Sequence, residues 1–343
     1  MKAIFFEQHG GIEVLKYGEI PDPQPAPGEA LIKVKACALN HLDVWVRKGW
    51  KGLHLEWPHV TGCDIAGEIV AVNTSSTNWK PGTKVIVNPG IASIEDEWTR
   101  RGEECVSPGY RIIGEQIRGG MAEYLTVPVA NVFKMPDELN FEQAAAPLLV
   151  GTTCWRMLFE RGGLKPHESV LVVGSGGGVN SLAIQIAHTI GATIYALAGS
   201  KEKRDKALSL GASEAIDYSR FTNWPVEIMK LTKGRGVDLV IDNVGSATLE
   251  KSMRSVARGG RIVTVGNTSG YEVQYDNRLI FAKQISLIGS TMGSRQDFIE
   301  MLQFLLRHKI MPVIDTVAPL KDGIQMIKRL EDGKQFGKII LKP

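Results

Sequence analysis

The sequence predicts an α/β chain of two domains: a β-rich first part and a second part built on a doubly wound parallel sheet. Three observations carry that prediction. The chain has 343 residues, more than one ordinary core accommodates. Its hydropathy rhythm changes near residue 140. A glycine-rich segment, VLVVGSGGGVN at residues 170–180, sits between an apolar run and a helical one.

Each element follows in order. Up to about residue 135, short apolar alternations are broken by turn signals: PDPQPAPGEA, NWKPGTKVIVNPG and VSPGY. Spacing of that kind predicts an antiparallel, barrel-like β domain. Within it lies TGCDIAGEIVAV, Thr61 to Val72, a glycine-bounded Cys-Asp turn running into a strand. Such a turn reads as a metal corner, a reactive thiol or plain packing. From about residue 140, apolar strands alternate with helical stretches. The strands are SVLVV (169–173), TIYAL (193–197), VDLVI (237–241), RIVTV (261–265) and ISLIG (285–289). Between the first two, SLAIQIAHTIGA has apolar residues at helical spacing and stops at Gly191. Strands spaced this way form βαβ units and hence a parallel sheet. A helix, DFIEMLQFLLRHKI, and a short tail ending FGKIILKP complete the chain.

Composition narrows the function classes. Hydrophobic content of 43%, charged content of 22% and 37 glycines describe a globular chain with many tight turns. A net charge of +3 gives no reason to expect nucleic acid or an anionic membrane as partner. The sequence holds no run of about 18 apolar residues, and MKAIFFEQHG lacks the profile of a signal peptide. Cys37, Cys63, Cys105 and Cys154 are too scattered for a disulfide framework and read first as small buried residues. The expected compartment is the cytoplasm.

The glycine loop carries the clearest chemistry. Gly174, Gly176, Gly177 and Gly178, followed by Val179, let the backbone turn sharply and approach a pyrophosphate. The helix that follows supplies unpaired N–H groups and a positive dipole end. Asn180 stands where a further glycine usually allows close helix–strand packing, so looser packing is expected there. An NAD-binding chain places an acid roughly 20 residues after the loop, on the ribose hydroxyls. Here the second strand ends ALAGSKEKR, with no acid at Ala198, Gly199 or Ser200. Ser200, Lys201, Lys203 and Arg204 suit a 2′-phosphate instead, so NADP(H) is the expected cofactor.

Over nearly its whole length the chain resembles the medium-chain alcohol dehydrogenase and quinone oxidoreductase superfamily. The resemblance rests on ALNHLDVWVRKG, TGCDIAGEIVAV, GTKVIV, GGMAEY, AAAPLLVGTTCW, the glycine loop, VIDNVG, GGRIVTVG and FGKIILKP, in the family order. It implies a GroES-like β-rich catalytic domain at 1–149, completed by 288–343, around a Rossmann dinucleotide-binding domain at 150–287. Carried over motif by motif, His41 faces the cofactor pyrophosphate. Ser200, Lys203, Arg204 and Tyr218 bind the adenosine phosphate end. Asn243, Val244, Gly266, Asn267 and Thr268 lie along the ribose and nicotinamide. A strand ISLIGST at the edge of the sheet implies a homodimer or homotetramer.

The same resemblance frames the metal question. Zinc members carry three ligands, and the matching positions here are Asn40, Cys63 and Leu149. An amide is a poor zinc ligand and a hydrocarbon is none. The proton-relay position is Leu42, and the four structural-zinc cysteines correspond to Ser93, Asp96, Thr99 and Ser107. Structural zinc is therefore not expected, and catalytic zinc is not favoured. A displaced site of Cys63 and Cys154 with Asp64 or His41 stays open. Without a metal, charge developing on the substrate oxygen needs hydrogen-bond donors. Asn40 and Thr153 are the candidate donors, and Cys63 completes the candidate catalytic set. The expected activity is NADPH-dependent reduction of a conjugated carbonyl, quinone or ketone. The alternatives are a zinc alcohol dehydrogenase or ketone reductase with an atypical site, and a nucleotide-binding protein without chemistry.

Overall fold

The computed structural model describes residues 1–74 and 78–343. Residue contacts divide the chain into two compact units: 1–150 with 293–298 and 311–343, and 151–292 with 299–310. The expected completing segment 288–343 is thus divided. Residues 299–310 belong with the second unit because Met301 packs on Gly151, and Phe304 stacks on Trp155 with centroids 5.2 Å apart.

The first unit is built on a seven-stranded sheet. Its path runs Ile314–Pro319, Lys338–Lys342, Glu29–Ala38, Asp64–Val72, Lys84–Val87 and Val132–Lys134, with Tyr124–Pro128 also paired to Glu29–Ala38. The alternation read from the sequence becomes the burial pattern of Glu29–Ala38, where Ala30, Ile32, Val34 and Ala36 all point inward. Gly67 lets the first two hairpin strands close up, since a Cβ there would fall 2.3 Å from the Lys33 carbonyl oxygen. The final strand, Lys338–Lys342, runs antiparallel to Glu29–Ala38, with Ile340 opposite Ala38. The tail and the first half of the chain therefore share one sheet.

The second unit holds a six-stranded, all-parallel sheet in the order Glu214–Asp217, Thr193–Ala198, Ser169–Val173, Val237–Asp242, Val256–Thr264, Ser286–Gly289. Numbered by chain, this is the 3-2-1-4-5-6 order of a doubly wound Rossmann sheet. Its central strands are buried apolar runs, as a sheet covered on both faces requires. The fifth strand runs longer than the sequence implies, from Val256, because the backbone continues as strand through Gly259 and Gly260. The expected helix after the glycine loop forms as Gly178–Thr189, burying Leu182, Ala183, Ile184, Ile186 and Ala187. Gly191, in the left-handed region at φ +83°, ends it. The helix expected from Asp297 starts at Arg295, where Ser294 and Asp297 cap one another. Among the described residues no helix is long and apolar enough to cross a membrane.

Candidate active site

In the second unit the relevant residues gather at the carboxyl ends of the parallel strands. The sheet reverses its winding between Ser169–Val173 and Val237–Asp242, the switch point where such sheets bind ligands. Gly174 turns the chain out of the strand at φ +87°. Gly177 is the N-cap of the helix Gly178–Thr189 and offers no side chain to its N–H groups. A Cβ at Gly177 would meet nothing within 4 Å, so space is open in front of that helix end. The expected loosening at Asn180 is not found. Its amide is buried, donates to the Val173 carbonyl at 2.9 Å, and pairs with the Asn243 amide at 3.1 and 3.3 Å. A polar side chain closes the gap that a glycine would otherwise leave.

Ser200, Lys203, Arg204 and Tyr218 are brought together at the end of Thr193–Ala198. Ser200 caps the helix Lys201–Ser209, its hydroxyl accepting from the Lys203 N–H at 3.2 Å. Tyr218 leans over Gly199, where a Cβ would fall 2.5 Å from the phenol oxygen. The glycine loop reaches this cluster through Ser175, whose hydroxyl lies 3.5 Å from the Lys203 carbonyl. Lys201 turns away to Asp205 at 2.7 Å. Arg204 has its Nε buried without a hydrogen-bond partner, an arrangement that calls for an acceptor.

The turn carrying Asn243 and Val244 is shaped by Asp242, a fully buried carboxylate that the sequence did not single out. Asp242 accepts from the Val244 and Gly245 N–H groups and from the hydroxyls of Thr248 and Ser252. Gly266 (φ +71°), Asn267 and Thr268 form the adjoining turn, with the Thr268 hydroxyl 3.4 Å from the Asn243 carbonyl. Thr153, in the helix Leu148–Trp155, directs its hydroxyl at the Met292 sulfur at 3.9 Å.

The first unit's candidates meet at the Cys-Asp turn. Gly62, at φ +102°, makes the corner; a Cβ there would fall 2.6 Å from the Cys37 sulfur. The turn delivers Asp64 into a buried cluster. Lys338 Nζ donates to Asp64 Oδ2 at 2.8 Å and to Asn40 Oδ1 at 2.6 Å. Asn40 Nδ2 donates to Asp64 Oδ2 at 2.9 Å, and the Leu149 N–H donates to Asp64 Oδ1 at 2.6 Å. Lys338 is 3% exposed and Asp64 0%. Strand register explains the meeting: with Ile340 opposite Ala38, Lys338 falls opposite Asn40. Lysine at that position carries no motif of its own, so the sequence reading missed it. Asn40, expected as a donor to substrate, has its amide committed to Asp64 and Lys338 instead.

Neighbouring groups follow the same dry environment. Asp43 accepts from the Asn40 and Gly62 N–H groups, yet burial pushes its carboxyl up to about 7. Burial, reinforced by Asp43 and Asp64, raises the Cys63 thiol well above its ordinary range. The thiol is therefore the resident form, with Asn40 Nδ2 3.8 Å from its sulfur. His41, the first residue of the helix His41–Lys48, is held below the usual histidine range by burial and by the Lys338 charge.

This chemistry does not fit a zinc ion. A metal needs deprotonated donors converging on one point. Asp64 already neutralises a lysine, Asn40 offers only an amide, and Leu149 contributes only its N–H. Among the described residues no three His, Cys, Asp or Glu side chains are grouped to hold a metal ion. At the four structural-zinc positions, Asp96 binds the Trp98 and Thr99 N–H groups, Ser107 donates to Asp96 at 2.7 Å, and Ser93 donates to the Gly109 carbonyl. Hydrogen bonds centred on Asp96 take the place of thiolates.

Two outcomes follow from this geometry. Lys338→Met should destabilise the protein by about 3–5 kcal/mol, because it strands a buried carboxylate. Denaturant unfolding at neutral pH measures this, and a loss below about 1 kcal/mol would mean that water or another cation replaces the ammonium. Gly177→Ala should leave stability within about 0.5 kcal/mol, since nothing crowds the position. The same change should weaken dinucleotide binding by about tenfold or more, by blocking approach to the helix end. Unaltered affinity in a fluorescence titration would remove Gly177 from the cofactor site.

Comparison with known proteins agrees with the architecture. Residues 26–137 match the family described as alcohol dehydrogenase GroES-like domain, and residues 178–307 match the one described as zinc-binding dehydrogenase. An NAD-dependent alcohol dehydrogenase of Sulfolobus acidocaldarius is 33% identical, the alignment spanning 100% of this chain and 99% of the relative. The human quinone oxidoreductase is 31% identical, over 99% of this chain and 97% of its own. A crystal structure of an NAD-dependent alcohol dehydrogenase superposes with a TM-score of 0.95 at 40% identity, covering 100% of both chains. A GroES-like unit and a Rossmann unit, joined in this order with identity along the whole length, make the chain a member of the medium-chain dehydrogenase/reductase superfamily of oxidoreductases.

Proposed function

We propose that the protein is an NADPH-dependent reductase of conjugated carbonyl or quinone substrates that works without a metal. One observation carries the cofactor reading. The second parallel strand ends Ala198-Gly199-Ser200 with no carboxylate, beside the partnerless Arg204 Nε and the Ser200–Lys203 cap. An NAD site would place an acid there for the ribose hydroxyls. A 2′-phosphate supplies the acceptor that the Arg204 Nε lacks, while its Nη2 lies 3.5 Å from Asp205, and Tyr218 flanks the same ground. The open helix end at Gly177 takes the pyrophosphate in this reading. Asn243, Val244 and Gly266 to Thr268 line the nicotinamide end.

When bound, the cofactor supplies the hydride. The chain's own task is to position it and to stabilise the charge that develops on the substrate oxygen. A conjugated substrate spreads that charge over an enolate and asks least of the donors. Thr153, in the helix Leu148–Trp155, is the donor in this reading. Asn40 serves as a positioning residue for the Cys63 corner, held by Lys338 and Asp64. Cys63 packs there as a thiol. The names of the relatives favour a second reading, an NAD-dependent alcohol dehydrogenase, and the description of one matching family adds zinc. The charge already placed on Asp64 by Lys338 argues against it.

The assembly is proposed to be a homodimer or a homotetramer. Ser286–Gly289 ends its sheet with Leu287 exposed, an edge on which a second copy can continue the strand pairing. All four cysteines are buried thiols outside any disulfide, in keeping with a cytoplasmic setting. Light scattering should show a multiple of 37.5 kDa at micromolar concentration, and only the single-chain mass would count against the dimer.

Cofactor titration combined with a substrate panel tests the activity. NADPH should bind more tightly than NADH by about 1–3 kcal/mol, the scale of charge-assisted contacts. Replacing Lys203 and Arg204 with alanine should remove most of that difference. Turnover of enones and quinones should survive prolonged chelation, with well under one zinc per chain by mass spectrometry. Equal affinities would sink the NADPH reading. Stoichiometric zinc lost together with ketone reduction would establish the second one, and no turnover on any enone, quinone or aryl ketone would leave a nucleotide-binding protein.

A further inference from the structure

Arg118 lies outside every role assigned above. Its side chain is half-buried, its Nε is buried without a hydrogen-bond partner, and its Nη2 reaches only the Trp57 carbonyl at 3.5 Å. Among the described residues no carboxylate lies within ion-pair distance of it. The other two arginines with a buried partnerless nitrogen are accounted for differently. Arg47 is neutralised by Glu331 at 3.0 Å, and Arg204 stands where a phosphate is proposed. A buried guanidinium N–H without an acceptor is costly, and an anionic ligand reaching the Arg118 Nε would offset that cost.

The backbone around Arg118 is tied to the Cys-Asp turn. Gly119, Gly120 and Met121 donate their N–H groups to the carbonyls of Val60, Gly62 and Thr61 at 2.7, 2.8 and 3.0 Å. A Cβ at Gly114 would fall 2.8 Å from the Gly62 backbone, and one at Gly119 would fall 2.4 Å from the Gly62 carbonyl oxygen. The segment 114–121 is thus clamped onto the turn that delivers Cys63 and Asp64, and Arg118 rides on that clamp. Its neighbours do not compete for it. Burial pushes His59 down to about 4, so that imidazole is neutral, and the Glu115 carboxylate takes the Gln116 amide at 2.7 Å.

We propose that Arg118 is an anion-recognition residue for the substrate, which carries a carboxylate or a phosphate besides its conjugated carbonyl. The inference rests on the reductase reading and deepens it by naming a charge on the substrate. It assigns Arg118 to binding, not to the hydride step.

A matched set of compounds tests this. The probes are a straight-chain enone ending in a carboxylate, its methyl ester, and an enoyl thioester of a phosphorylated pantetheine. For the unmodified protein, kcat/KM should favour at least one anionic probe over the ester by tenfold or more. Arg118→Met should collapse that ratio towards one through KM, and Arg118→Lys should restore part of it. Preference for the carboxylate or for the phosphate identifies the source of the charge. Calorimetry supplies a readout independent of turnover: the saturated, unreactive carboxylic acid and pantetheine phosphate are titrated into the unmodified protein and into both variants. Binding of either anion that Arg118→Met weakens at least tenfold supports the assignment, even if no enone is reduced and the reductase reading fails. Equal treatment of the anions and the ester by the unmodified protein, or ratios and anion binding unchanged in Arg118→Met, overturns it.

Discussion

The ion pair between Lys338 and Asp64 ties the last strand of the chain to the second strand of its first sheet hairpin, and the corner around Cys63 is arranged about it. An ammonium removed from water must be met by an anion and by further acceptors, or the fold loses several kcal/mol. Asp64 supplies the charge and Asn40 the second acceptor. The other Asp64 oxygen is closed by the Leu149 N–H. Once these partners are engaged, Asn40 is oriented and Cys63 is left as a buried thiol in a site with a resident cation. That order of cause explains why the polar side chains of this corner satisfy one another.

A parallel logic holds the second unit's loops. Backbone turns at the carboxyl ends of parallel strands leave N–H groups that must find acceptors. Asp242 answers four donors with one carboxylate, and the Asn180–Asn243 amide pair ties the glycine-loop helix to the next turn. These buried polar groups tie the loops together, and the space before Gly177 stays open beside them. The two units thus use one device, a buried carboxylate that organises its surroundings, for different ends. Asp64 holds a corner; Asp242 shapes a cofactor turn.

What was legible in the sequence depended on locality. Strand and helix positions followed hydropathy period, and the glycine loop declared itself because its chemistry lies in one contiguous stretch. The absence of an acid after the second strand was legible for the same reason. Asn180 misled, because a single residue does not reveal whether a missing glycine leaves a gap or whether an amide bridges it. Asn40 misled too, since its amide donates to a group 24 residues away and accepts from one 298 residues away.

By itself, then, the sequence determined the two-domain α/β architecture, the superfamily and the chemistry open to the glycine loop. All three rest on periodicity and on residues adjacent along the chain. Tertiary structure decided which polar groups satisfy one another. Lys338 reaches Asn40 only through the register of an antiparallel pair between the chain's two ends. Arg118 is seen to lack a partner only once every carboxylate around it has been placed. Burial sets the worth of each such contact, and burial is a property of the folded whole, not of any segment.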